Sequence, residues 1–198
     1  MASRPLRDSD IRQAAYRRLL THAQACPDTL VIDELGLDHG SCRIDIAVIN
    51  GHIRGVEIKA EADTLGRLPR QVAAYGEVVD KALLIVDPKH LASAMTIIPE
   101  WWGVIVAERG ATQGVRFRRV RPERANKGID ALVLARLLWR PEAQALLREL
   151  GVPERELRAP REELYQRTVS LMPLRKLSSA VRTALKSRTA WRDQRPLS

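Results

Sequence analysis

The stretch Arg43–Lys59, RIDIAVINGHIRGVEIK, restricts the fold of this 198-residue chain more than any other. Two runs rich in Ile and Val, 43–49 and 53–59, flank Asn50-Gly51, and that dipeptide between apolar runs is the strongest short-range signal for a β-hairpin. The hairpin also carries charges where a strand normally wants apolar side chains. Asp45 lies in the first run, and Glu57 and Lys59 in the second.

Side chains alternate along a strand, so Asp45 shares a face with Ala47 and Ile49, and Glu57 shares one with Ile53, Gly55 and Lys59. Whether the two faces coincide depends on the turn. A plain two-residue turn at Asn50-Gly51 pairs Asp45 with Val56 and sends Glu57 to the opposite side. A three-residue loop that includes His52, or a bulge beside a two-residue turn, pairs Asp45 with Glu57. The chemical reading requires one of the latter. With the faces aligned, the two carboxylates form a hard-oxygen site suited to Mg²⁺ or Mn²⁺. Lys59 reaches the same place, where an ammonium can orient or deprotonate a water and stabilise charge developing on a phosphorane. The plainer reading is a surface ion pair on a solvated sheet face. The apolar character of the other hairpin positions argues against it.

Ahead of the hairpin, Ile11, Ala15, Leu19 and Tyr16, Leu20, Ala23 recur at helical spacing from Asp8 to about Ala25, with Asp8, Ser9 and Asp10 suited to a helix start. Leu30–Leu35 reads as a strand closing at Gly36. Beyond Lys59 a polar segment, 60–66, leads to a helix with Pro69 near its first turn and an apolar stripe at Leu68, Val72, Tyr75 and Val79. Ala82–Val86 is predicted to be a strand buried on both faces, joined to the hairpin's second strand by a right-handed parallel crossover. A helix over Pro88–Met95, a buried strand Val104–Ala107 and an edge strand Val115–Val120 follow. Trp101-Trp102 reads as a packing anchor rather than a base-stacking platform. From Gly128 onward the pattern is helical, over Ile129–Arg140, Pro141–Leu150, Arg161–Met172 and Leu174–Trp191. The expected fold class is α/β: a mixed central β-sheet flanked by helices, with an α-helical C-terminal extension. The expected division is a core at 1–126 and a basic helical region at 127–198 packed on it.

Charge separates these regions. Residues 1–120 hold 16 Lys and Arg against 15 Asp and Glu, whereas residues 121–198 hold 17 against 9, so +8 of the net +9 sits in the last 78 residues. A basic region beside a neutral one suits a protein that grips a polyanion. The last segment carries Arg175, Lys176, Arg182, Lys186, Arg188 and Arg192, of which the first five are the expected nucleic-acid contacts, DNA above all. No apolar run approaches the roughly 20 residues of a spanning helix, and MASRPLRDSDIRQ lacks a signal-peptide core. No membrane partner is therefore expected, and the chain should work in the cytoplasm with Cys26 and Cys42 as reduced thiols. The four histidines show no zinc spacing.

Asp45, followed eleven residues later by Val56-Glu57-Ile58-Lys59, resembles the core motif of the PD-(D/E)XK nuclease superfamily, with its restriction-endonuclease-like fold. Gln71 and Tyr75, at i and i+4, match a Gln-x-x-x-Tyr element of some branches. The likeness covers about residues 8–107, and the stretch from Glu34 to Val86 is similar to a bacterial and phage-borne branch; Ile44 stands where the motif's name has proline. The resemblance implies a metal held by Asp45, Glu57 and the carbonyl of Ile58, and Lys59 as the catalytic lysine. It also implies that Gln71 holds Lys59 or the scissile phosphate. Glu34 is a further candidate ligand, set against an ordinary loop acid. Asp63 and Arg67, again i and i+4, either pair with each other or support the site and its substrate, as Tyr75 does. The expectation is a Mg²⁺-dependent endonuclease, a hydrolase of DNA phosphodiester bonds, with a homodimer compatible. The alternative is a non-catalytic nucleic-acid-binding module, or a protein-protein adaptor, on the same fold.

Overall fold

The computed structural model describes residues 4–37, 40–110 and 114–188. Six strands form one sheet whose order is β1 (Leu30–Leu37), β2 (Cys42–Ile49), β3 (Ile53–Lys59), β4 (Lys81–Val86), β5 (Gly103–Arg109) and β6 (Val115–Arg121). The pairings β1–β2, β2–β3 and β5–β6 are antiparallel, and β3–β4 and β4–β5 are parallel, so the sheet is mixed. β3 occupies its expected range, the crossover from β3 to β4 is parallel, and β6 is an edge strand.

One face of the sheet is covered by α1 (Asp8–Arg18), whose Ile11 and Ala15 pack on Ile46, Val48, Val56, Ile58, Leu83 and Ile85. The other face carries α3 (Leu68–Gly76), α4 (Pro88–Ile97) and the C-terminal helices α5 (Ala131–Ala135), α6 (Arg140–Glu149), α7 (Arg161–Leu171) and α8 (Leu174–Ser187). Leu164, Leu177, Val181 and Leu185 share one apolar cluster with Ala47, Ile49, Leu84 and Val106, so residues 127–188 continue the core of the sheet. β4 alternates Ala82, Leu84 and Val86 into that cluster with Leu83 and Ile85 into the α1 side, which accounts for its unbroken apolar run.

Several extents differ from expectation. The first helix breaks near Leu19, and a separate short turn of helix, α2, covers Thr21–Ala25, because Leu20 drops into the α1-side core. The helix expected over 129–140 is α-helical only at Ala131–Ala135, where the Asp130 carboxylate accepts from the Leu132 and Val133 amides. Trp102 is fully buried and stacks on Tyr75 at 5.1 Å, consistent with a packing role. The last helix is described only to Ser187; Trp191 and Arg192 lie outside the described residues, as does His39. No helix among the described residues is long and apolar enough to cross a membrane.

Candidate active site

The hairpin turn has the parity that the chemistry needs. Ile49 pairs with Ile53 and Ile46 with Val56, and the Asn50 amide donates to the His52 carbonyl at 3.1 Å across a three-residue loop. Asp45 is thereby opposite Glu57. The ladder stops at Ile46–Val56, and from there the Asp45 carboxylate replaces a backbone acceptor, taking the Ile58 amide at 2.7 Å.

The strands carrying Asp45 are buckled at that point. Along β2, Cys42 and Ile44 lie in the same cluster as Ala47 and Ile49, while Ile46 and Val48 face α1. The alternation slips by one residue at Asp45. On β1 the same slip separates Ile32 from Leu35 and Leu37, and between them Glu34 has a left-handed φ of 56°. That conformation is costly for a residue with a Cβ, and such strain collects at functional sites.

Glu57 and Lys59 are both buried, with Glu57 fully so. Lys59 Nζ donates to Glu57 Oε1 at 2.6 Å, Gln71 Nε2 donates to the same oxygen at 2.5 Å, and the Tyr75 hydroxyl donates to Oε2 at 2.7 Å. The Tyr75 ring reaches Glu57 across Gly55, where a Cβ would stand 2.9 Å from the ring, so only glycine fits. Burial first, then the negative charge of Glu57, pushes the Tyr75 hydroxyl well up, which keeps it a proton donor. Gln71 holds Glu57 rather than Lys59, of the two partners expected for it, Lys59 or a scissile phosphate, and its own Oε1 is buried without a partner.

Asp45 is the site's titrating group. Burial, then repulsion from Glu57, pushes its carboxyl up to about 7, against weaker relief from the Ile58 amide, Arg12 and Lys59.

Sequence reasoning missed Arg12. Its guanidinium donates to the Asp45 carbonyl at 2.7 Å, Asp33 at 3.0 Å, Asp8 at 3.3 Å and Glu34 at 3.4 Å, and it stands 3.9 Å from the Asp45 carboxylate. Tyr16, one turn along α1, donates to Asp33 at 2.9 Å. Burial disfavours the Arg12 charge, yet Asp8, Asp45 and Asp33 outweigh it and raise its pKa. A single Arg one helical turn beyond Asp8 gives no warning of partners up to 33 positions away.

A cleft of about 530 Å³ opens over these groups, lined by Asp45, Glu57, Ile58, Lys59 and Gln71 together with Glu34, Asp63 and Arg67. Asp8, Arg43 and Arg70, unforeseen in sequence, line it too. Tyr75 lies behind it. Asp63 turns back to accept from the Ala60 amide at 2.7 Å, and it and Arg67 line the cleft without pairing with each other. Glu34, a candidate ligand set against an ordinary loop acid, lines the cleft, is half exposed and bonds to Arg12, and no group of three or more His, Cys, Asp or Glu gathered for a metal occurs among the described residues. The donor set left for a cation is the Asp45 and Glu57 carboxylates with the Ile58 carbonyl. Two carboxylates and a carbonyl are oxygen donors of the kind a hard divalent ion takes.

The C-terminal cations divide. Arg175 and Lys176 are exposed and Arg182 is partly so. Lys186 is engaged with the Asp28 carboxylate at 2.6 Å. Arg188 is buried, forks onto Glu142 at 2.6 and 2.7 Å, donates to the Leu137 carbonyl and lies 4.3 Å over the Trp139 ring. It is a structural tie, not the nucleic-acid contact expected of it.

A family model described as Bacteriophage P4 protein cII matches residues 2–195. Among curated proteins, Protein cII of Enterobacteria phage P4 is 24% identical over 184 residues, covering 92% of this chain and 68% of that relative. No solved structure matches.

Proposed function

The chain belongs to the bacteriophage P4 protein cII family, and we propose that it is a metal-dependent nuclease of the PD-(D/E)XK type, hydrolysing DNA phosphodiester bonds in the cytoplasm. The observation that carries this reading is the three-residue hairpin loop, which sets Asp45 opposite Glu57 with Lys59 bonded to Glu57 in the same cleft. Asp45, Glu57 and the Ile58 carbonyl would hold Mg²⁺ or Mn²⁺. When bound, the cation supplies Lewis-acid stabilisation of phosphoryl charge and eases deprotonation of the attacking water.

This chain's own residues do the positioning. Tyr75 and Gln71 fix the Glu57 rotamer from two sides, and Glu57 in turn holds the Lys59 ammonium at the cleft wall. There Lys59 stabilises negative charge gathering on a scissile phosphate. Asp45 is held in place by the Ile58 amide.

The test is incubation of wild type with linear, circular, branched and single-stranded DNA, and RNA, in Mg²⁺ or Mn²⁺. Cleavage is expected, and Lys59→Ala should slow it by about 10²–10³-fold. A wild type that cuts none of these, or a Lys59→Ala protein that cuts equally well, sinks the proposal.

A second reading is favoured by one observation: Glu57 already accepts from Lys59, Gln71 and Tyr75, and Arg12 stands 3.9 Å from Asp45, so the acids are partly neutralised from within. On that reading the protein binds nucleic acid without turnover. It predicts retained binding in EDTA and no cleavage in any divalent metal.

A further inference from the structure

The cleft is lined by acids and also by three exposed arginines at its rim. Arg43 on β2, Arg67 at the N-cap of α3 and Arg70 in that helix's first turn are exposed, and all three line the cleft. None forms an ion pair among the described residues, although Asp8, Glu34, Asp45 and Asp63 line the same space. Some arginines elsewhere have a carboxylate partner, as Arg54, Arg136 and Arg188 have. The rim has a second positive feature: α3 begins there without a side-chain cap and without an acid in its first turn, so its amide dipole is uncompensated. By contrast Asp87 caps α4 and Asp130 caps α5.

We propose that this rim is the phosphate-contact surface of the protein. Arg43, Arg67 and Arg70 take successive phosphates of a nucleic-acid backbone and lay the strand across Asp45, Glu57 and Lys59. Cations among these acids solve a problem that acids alone create, since a polyanion would be repelled from Asp45 and Glu57 without them. The proposal assigns the grip to the cleft, which Arg175, Lys176 and Arg182 of α8 do not line. The inference deepens the nuclease reading and rests on the same cleft, but it concerns binding, so its test omits the divalent ion.

The experiment measures fluorescence anisotropy of a labelled DNA oligonucleotide in EDTA over a salt series. Wild type is compared with Arg43→Gln/Arg67→Gln/Arg70→Gln and with Arg175→Gln/Lys176→Gln/Arg182→Gln. The rim triple variant should bind at least about 10-fold more weakly near 100 mM salt, and its plot of log K against log salt should be shallower by about 2–3, at 0.7–0.9 per lost phosphate contact. The α8 variant should stay close to wild type. Thermal melting checks folding, and Arg67→Gln alone, expected to lose about one unit or less of slope, serves if the triple variant does not fold. Wild-type affinity and slope in the rim variants, a loss carried by the α8 variant instead, or no wild-type binding at low salt overturns the proposal. Intact rim-dependent binding with no Mg²⁺ cleavage removes only the catalytic reading.

Discussion

The C-terminal helical layer and the open end of the hairpin treat charge in opposite ways. In the helical layer cations meet acids at close range: Arg188 with Glu142, Arg136 with Glu162 and Lys186 with Asp28, each at 2.6 Å. At the hairpin end Asp45 is left against Glu57, Arg12 is shared among several acids, and the rim arginines are left unmatched. Arg12 relieves Asp45 only in part, and the Asp45 carboxyl stays raised by burial and by Glu57. A perturbed acid in a cleft marks a place kept for something other than stability.

That contrast is broken most sharply by Glu57→Ala. Glu57 is an acceptor for Lys59, Gln71 and Tyr75 together, so its removal strands a buried ammonium and should destabilise the fold by about 3–5 kcal/mol, read by urea unfolding. Glu57 is thus as much a structural residue as a chemical one. Arg188→Ala should be next, at about 3 kcal/mol, because it leaves the Glu142 carboxylate without its fork; a melt superimposable on wild type would contradict the assignment of Arg188 as a tie.

Asp45→Asn should act in the other direction. A carboxyl raised from 3.8 to about 7 holds its proton in the folded state while the unfolded chain has lost it, so stability is fully present below pH 4 and falls as pH rises through 7. The amide keeps an acceptor for Ile58 and carries no charge. The variant should therefore be more stable than wild type at pH 8, by up to a few kcal/mol, with a flatter profile between pH 4 and 7. A variant no more stable than wild type at pH 8 would show that the acids are not in conflict. The smallest effect belongs to Arg148→Ala, whose partner Glu154 is a fully exposed surface acid; no measurable change in melting is expected.

Much of this was written locally. The Asn50-Gly51 signal and the β-branched runs fix both hairpin strands within a residue, because strand alternation and turn chemistry act over a few positions. That Glu57, Lys59, Gln71 and Tyr75 gather at one place was legible as two short spacings, but not which of them bond. The turn left two registers open, and only the folded loop selects between them. What lay beyond reach depends on distant groups. Arg12 meets Asp33 and Asp45 only after α1 packs on the sheet, and Arg188 meets Glu142 across 46 positions. The left-handed turn at Glu34 has no signature, since no glycine or asparagine stands there. A basic stretch looks alike in sequence whether its arginines are paired or free, which is why α8 drew a role that Arg188 does not hold.

The sheet's spatial order, β1 through β6, is also the order in which its strands are made. Each strand that leaves the ribosome finds its neighbour already synthesised, and no pairing waits for a distant segment. Every group bonded around Glu57, Arg12 and Asp45 lies between Asp8 and Tyr75, so the chemistry-bearing third of the chain is complete before α5 is translated. Vectorial synthesis then permits the cleft to assemble from one end, with the C-terminal helices arriving last to seal the apolar face beneath it.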